Sequence, residues 1–451
     1  MDILTILPPV LAIGIALWTR NVFWALGAAI WVSEALIVGG NPALGALGAI
    51  DRSVDVLTSA GNARILLFCL IIGALIAYMQ KSGGIAAMVE KLTSSGVAST
   101  RRRAGLSTSI AGIILFVETN ISLLTTGIMG RPLFDRQKMS RERLAYIIDS
   151  TSAPVSVLIP LNGWGAYALV LISAYEIADP LSVLMISIPL NFYALATLAG
   201  VLATVTFDKT FGPLSNTRAQ AGPQDAPDTA THFSFMAVPI LILVGGAIGM
   251  MAYTGGGNIL EGSGSQSILW AIVLATATAF VMLLASKRYK SNELIDMGFA
   301  GMGELLPAVT VIFLSLALGA SLRALGTGEF IAGLATGFPA PFMFPAILFL
   351  SAAATSFATG TSWGTYGLLI PIAIPLAVGA DMPPALVLAA VLGGGVFGDH
   401  CSPISDTSII ASLAAGCDHI DHVRTQLPYA LVAAAIATLG YLIAGAAMIS
   451  G

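Results

Sequence analysis

Charge is scarce in this chain. Only 10% of its 451 residues are Asp, Glu, Lys or Arg, and four are His, whereas soluble domains run near a quarter charged. That scarcity excludes an ordinary water-soluble domain. With 20 basic against 24 acidic side chains the net charge is −4, which argues against nucleic acid as a partner. Cysteine is nearly absent too: three residues without paired spacing make no disulfide framework. The N-terminal MDILTILPPV has no basic run, so it reads as a retained first span and not a cleaved signal peptide. Polar loops are short, which leaves no room for a soluble enzyme domain.

What the chain has in excess is hydrophobicity: 56% of residues and a mean hydropathy of +0.88. Apolar runs recur at Ile65–Met79, Leu181–Phe207, Phe233–Tyr253, Ile268–Ser286 and Tyr429–Ile449. A helix crosses ~30 Å of hydrocarbon with about 20 residues, so the pattern predicts an all-α polytopic membrane protein of roughly 10–12 spans. Some segments are too short or too polar to be plain spans. Cationic residues cluster at Lys81 to Arg103, Arg131 to Arg143 and Lys287 to Lys290, and such clusters face the cytoplasm.

The two halves share a pattern. Thr119, Ser122, Thr125 and Gly127 match Thr359, Ser362, Thr365 and Gly367 as TxxSxxTxG, 240 residues apart; Ala153-Pro154-Val-Ser156 matches Ser402-Pro403-Ile-Ser405, 249 apart. Matches in the same order at similar offsets predict an internal repeat. Between Arg103 and Arg131 lie 27 residues with basic flanks on both sides. At ~1.5 Å per residue they suit a shallow hairpin that keeps both flanks on one face. The second copy, about Pro345 to Asp381, has no Lys or Arg at either end, which suits a hairpin entering from the opposite face. The expected architecture is therefore two inverted-topology repeats with two re-entrant hairpins and two discontinuous helices. Residues 1–207 form the first half (hairpin about 104–130, broken helix about 144–160), 208–232 a polar linker, and 233–451 the second half (hairpin about 345–380, broken helix about 388–416).

Each repeat continues into a segment that punctuates a helix. Pro154 follows Asp149-Ser150-Thr151-Ser152; Gly393-Gly394-Gly395 precede Asp399, and Pro403 follows it. Unpaired backbone at membrane depth survives where it is buried in protein or lines a cavity. Its carbonyls, with Ser, Thr, Asn and Asp oxygens, suit a hard cation such as Na⁺, while helix N-termini suit an anion. A mid-membrane carboxylate costs about 2.5–3.5 kcal/mol on insertion scales, so Glu118, Asp149, Asp399 and Asp406 call for a purpose. Competition of H⁺ and Na⁺ at one carboxylate would couple their fluxes.

The window from Phe397 to His422 gathers four Asp, three His and two Cys. A zinc site from Asp399, His400, Cys401, Cys417, His419 and His422 is one reading, but no CxxC or HExxH spacing supports it. The DHIDH segment at 418–422 reads as an aqueous rim, and rim histidines can sense pH. Asn162, Trp164 and Trp363 lie beside Gly near the broken elements and read as packing, interfacial or substrate-contact residues. Glu34 and Glu304 lie outside the repeat and read as structural.

Phe357–Ala373 (FATGTSWGTYGLLIPIA), Gly398–Ala430 and Ser140–Ala166 together resemble the NhaC-type Na⁺/H⁺ antiporter family. The resemblance spans most of the chain. It implies the ion transporter superfamily fold, with a scaffold, a mobile transport domain and commonly a homodimer. Where that family carries two adjacent acidic residues and an aromatic in the first hairpin, this chain reads Glu118-Thr119-Asn120, so one carboxylate is missing.

Two functions stand open. One is an Na⁺/H⁺ antiporter working by alternating access; the other, on the same fold, is an Na⁺-coupled carrier or exchanger of a small organic acid or amino acid. A membrane metalloenzyme or a passive channel fits the repeat less well, and no ATP-binding motif is present. The expected ion- or substrate-binding set is Glu118, Thr119, Asn120, Ser122 and Thr125; Asp149, Ser150 and Ser152; Thr359, Thr361, Ser362 and Thr365; and Asp399, Ser402, Ser405 and Asp406. Asp149, Asp399 and Glu118 are the expected proton carriers. No cofactor is expected beyond the transported Na⁺, the partners are the lipid bilayer and the solute, and the expected location is the plasma (inner) membrane.

Overall fold

The computed structural model describes residues 3–449 except 20, 85–86, 88–98, 117–118, 161, 176, 178, 220–230, 258–261, 337 and 404. Among them every regular element is helical. Residues 220–230 of the expected 208–232 linker, and Glu118, lie outside the described residues, as do the side chains of Asn120 and Asp406.

The chain opens with α1 (Leu7–Thr19), α2 (Val22–Ile37), α3 (Pro42–Thr58) and α4 (Ala60–Lys81). It continues through α5 (Arg101–Ile114), α6 (Thr119–Arg136), α7 (Arg141–Ser150), the single turn α8 (Ala153–Ser156), α9 (Gly163–Ser173), α10 (Pro180–Ser187) and α11 (Phe192–Phe207). The second half holds α12 (Ser234–Thr254), α13 (Gly264–Ala285), α14 (Ser291–Ala324), α15 (Thr327–Thr336), α16 (Phe344–Thr359), α17 (Ser362–Gly379), α18 (Pro384–Cys401), α19 (Asp406–Ala415) and α20 (His419–Ile449). Among the described residues eight helices are long and apolar enough to cross a membrane, or up to ten if each bent pair is one span. The sequence pattern counts slightly more because α1 and α9 are apolar but only 13 and 11 residues long.

Asparagine placement explains how helices start inside apolar surroundings. Asn21, Asn41, Asn162 and Asn191 each precede a helix, and each side chain accepts a backbone N–H of the first turn. In lipid no water can satisfy those donors, so the caps replace it. α2 and α3 fold back on each other at 115°. Their elbow holds Glu34, which accepts from Arg52 Nε and Ser321 Oγ at 2.7 Å each; Glu34 is thus a buried structural partner.

α5 and α6 run antiparallel. At one end Arg101 donates to the carbonyls of Gln137 and Lys138 at 3.1 and 2.9 Å; toward the other Ser122 Oγ donates to the Gly112 carbonyl at 3.0 Å. α16 and α17 are joined by Gly360 and Thr361, and Gly360 takes φ +66°, where a residue without Cβ carries no strain.

The helices that follow Pro154 and Pro403 each pack on helices distant in the chain. α19 lies on α6 and α7, where Arg131 donates to the Leu413 and Ala414 carbonyls (2.5 and 2.8 Å) and Arg141 to the Ala415 carbonyl (2.8 Å). These carbonyls lie at the α19 C-terminus, where cations are favoured. α9 lies on α17: the Tyr167 and Trp363 rings stack at 5.2 Å, and Tyr167 Oη is 3.2 Å from the Trp363 carbonyl.

The glycine run 393–395 does not interrupt a helix. α18 continues to Cys401, and the glycines let α16 press against its backbone. A Cβ on Gly394 would lie 2.2 Å from the Phe349 carbonyl oxygen, and one on Gly398 2.4 Å from the Phe357 nitrogen. The break comes after it, at 402–405, where Ser402 and Ser405 are extended. In the first half it comes at Thr151–Ser152, because Pro154 is accommodated in the first turn of α8, where its missing N–H is no loss.

Candidate ion-binding site

A cavity of about 470 Å³ lies between the first residue of α6 and the turn that joins α16 to α17. Thr119 lines it from α6, Thr359, Gly360, Thr361 and Trp363 from the turn between α16 and α17, and Asp399 and Thr407 from the break between α18 and α19. The facing wall comes from Asn21 and Val22 of the α1–α2 turn, Cys69 and Ile72 of α4, and Glu304, Leu305, Pro307, Val309, Val311 and Ile312 of α14. α14 is bent by 43° in that stretch, at Pro307.

Asp399 organises the break. Its Oδ2 accepts from Ser362 Oγ at 2.6 Å; its Oδ1 accepts from Ser405 Oγ and, at 3.4 Å, from Thr407 Oγ1. The residue is 2% exposed. Hydroxyl donors from two elements therefore hold one carboxylate at a cavity wall, each such bond to a charged group contributing about 1.5–3 kcal/mol.

Several expected site residues brace this geometry. Ser402 Oγ donates to the Phe357 carbonyl (2.7 Å), Ser152 Oγ to the Thr119 carbonyl (2.9 Å) and Thr365 Oγ1 to the Thr361 carbonyl (2.9 Å). Ser122 ties the arms of the first hairpin as described above, and Thr125 is buried in α6.

Asp149 and Ser150 belong to a different cluster. Asp149 Oδ2 accepts from His422 Nε2 at 3.1 Å and from Gln426 Nε2 at 2.7 Å. Ser150 Oγ is 3.0 Å from His400 Nε2, and His400 Nδ1 is 2.8 Å from Tyr193 Oη. Asp149, Ser150, His422 and Gln426 are all fully buried. Asp149 Oδ1, His422 Nδ1 and Gln426 Oε1 have no protein partner, and each such buried polar atom costs about 1–3 kcal/mol. Asp149 is not among the residues lining the cavity. The offset of 249 that aligns Pro154 with Pro403 aligns Asp399 with Ser150, not with Asp149. One residue along a helix turns the side chain by about 100°.

The 418–422 segment is only partly a rim. Asp418, Ile420 and Asp421 are exposed, but His422 turns inward to Asp149. His419 Nε2 is 2.8 Å from the Pro403 carbonyl, and Cys401 donates to the Phe397 carbonyl. Burial pushes the Cys417 thiol up to about 12. The Cys and His of the window point to separate partners, and no group of three metal-ligating side chains converges among the described residues.

Sequence reasoning missed Asn21, Glu304 and Thr407 as cavity residues, and His422, Gln426 and Tyr193 as partners of the second cluster. Glu304, an acid three residues before a proline in an apolar helix, carried a usable signal; Gln426 carried none.

A model of the Na⁺/H⁺ antiporter family matches residues 164–446. A protein of Haemophilus influenzae with no assigned function is 32% identical over 98% of this chain and 90% of its own length. The chain belongs to the Na⁺/H⁺ antiporter family. The malate-2H⁺/Na⁺-lactate antiporter of Bacillus subtilis is 36% identical to this family member over 108 residues, 23% of each protein. The YdaH transporter of Alcanivorax borkumensis shares its fold, with a TM-score of 0.55 at 15% identity over 88% of each chain. This Na⁺/H⁺ antiporter family chain is a multi-pass membrane protein and a secondary transporter.

Proposed function

We propose that this protein exchanges Na⁺ for H⁺ by alternating access, as a homodimer in the plasma (inner) membrane. The observation that carries the reading is the Asp399 carboxylate, held by three hydroxyls at a helix break beside a cavity. Na⁺ is a hard cation that takes oxygen ligands. Asp399, the Thr119 and Thr407 hydroxyls and the backbone at Thr359–Thr361 would supply them.

Inverted repeats with re-entrant hairpins are the architecture we infer for the transport unit, with halves 1–207 and 233–451. The antiparallel α5–α6 and α16–α17 pairs, and the reciprocal packing of α19 on α6 and α9 on α17, support it. The facing wall of α2, α4 and α14 would be the scaffold. Displacing the hairpins along it would expose the cavity to one side and then the other, and ion gradients would drive the cycle.

Purified protein in liposomes with a trapped pH dye tests this. Na⁺ gradients are expected to drive proton movement, with Li⁺ and K⁺ gradients setting the selectivity. A silent dye with correctly inserted protein would refute Na⁺/H⁺ exchange; Na⁺-dependent uptake of organic acids or amino acids would then be measured.

A further inference from the structure

We infer that the exchanged proton is held at a second, separate site, the buried Asp149–His422 pair, and that the Gln426 amide couples its binding to the Asp399 site. The inference rests on the Na⁺/H⁺ reading above. It differs from competition of the two ions at one carboxylate.

The pair is closed off from the cavity. Asp149 comes from α7 and His422 and Gln426 from α20, and all three are fully buried. The groups facing it are His400 and Cys401 of α18 and Tyr193 of α11, with Ser150 beside it on α7. Among the described residues no Lys or Arg side chain pairs with Asp149. With a neutral imidazole the pair carries one buried negative charge; with one more proton it is neutral or an ion pair.

Gln426 provides the link. Its Nε2 donates both hydrogens, one to Asp149 Oδ2 at 2.7 Å and one to the His400 carbonyl. Carboxylate and carbonyl are both acceptors, so the amide nitrogen must face them and Oε1 must face away, where it has no partner. A proton on Asp149 Oδ2 reverses this demand. The protonated oxygen becomes a donor, the amide turns so that Oε1 accepts from it, and the His400 carbonyl loses its donor. That carbonyl belongs to the residue after Asp399, at the last turn of α18. Ser408 Oγ also lies 3.4 and 3.5 Å from the Asp399 and His400 carbonyls, within the same break. Proton uptake at Asp149 therefore loosens the backbone that sets the Asp399 carboxylate, and Na⁺ bound at Asp399 favours proton release.

Calorimetry of Na⁺ binding to the purified full-length protein, in buffers of different ionisation heat, counts protons released per Na⁺. The wild type is expected to release about one, with Na⁺ affinity falling about tenfold per pH unit in the acidic range. Asp149→Asn is expected to bind Na⁺ without proton release and without that pH slope. Gln426→Leu is expected to flatten the slope while the pair still titrates, and Asp399→Asn to lose Na⁺ binding. Folding of each variant is checked by thermal unfolding and gel filtration. Loss of Na⁺ binding in folded Asp149→Asn, or undiminished proton release in both Asp149→Asn and Gln426→Leu, overturns the inference. A wild type that binds Na⁺ with no proton release overturns it as well. A wild type that binds no Na⁺ at any pH refutes the function proposed above and this inference with it.

Discussion

Replacing Asp399 by Asn tests the proposed ion site at its centre. The carboxylate accepts from Ser362, Ser405 and Thr407, and those hydroxyls can rotate to meet an amide, so the fold is expected to survive within about 2 kcal/mol. Removing the buried charge offsets part of the weakened hydrogen bonding. The ion has no such replacement. Two unit charges about 4 Å apart attract by about 4 kcal/mol at an effective dielectric constant near 20. At about 1.4 kcal/mol per decade that corresponds to nearly a thousandfold in affinity. The amide oxygen retains a dipolar share, so a loss of about 100- to 1000-fold is expected. Isotopic Na⁺ binding to purified protein, with thermal unfolding on the same sample, reads both quantities. A Kd within threefold of wild type, in protein that unfolds normally, would show that Asp399 does not hold the cation.

Three further outcomes follow from the packing. Gly394→Val places side-chain carbon against the Phe349 carbonyl oxygen, 2.2 Å from the Cβ position, and is expected to cost about 3 kcal/mol or more; Gly27→Ala, with nothing within 4 Å of its Cβ, is the thermal-unfolding control. Arg131→Ala removes two donors from the α19 C-terminus and is expected to cost about 1.5–3 kcal/mol, partly recovered in Arg131→Lys. Glu304→Gln removes a carboxylate from the scaffold wall of the cavity; water-like screening limits the effect to about 1 kcal/mol, so Na⁺ affinity is expected to weaken about fivefold with no change in unfolding temperature.

The helical, membrane-spanning class was legible because it follows from composition and run length alone. So were the places where helices are punctuated: Pro154, Pro403 and Gly360 act through local geometry that needs no tertiary partner. The glycine run 393–395 stays helical; in sequence a glycine run looks the same whether it ends a helix or admits a neighbouring backbone. Glu34 and Glu304 read alike in sequence, yet Glu34 is paired with Arg52 and Ser321 while Glu304 faces the cavity.

By itself, then, the order of residues determined that this chain must bury its backbone in helices within lipid, and that two hydroxyl-rich turns and two proline-punctuated segments would interrupt them. Those features arise from interactions between near neighbours and from the cost of charge in hydrocarbon. Only the tertiary structure decided which oxygens share a space. Asp149 meets Gln426 across 277 positions of chain, and Asp399 meets Ser362 across 37. Asp149 and Asp399 thus lie in separate surroundings, one in a closed cluster and one at the cavity wall. Such assignments depend on helix rotation and crossing, which the packing of every neighbouring helix sets together.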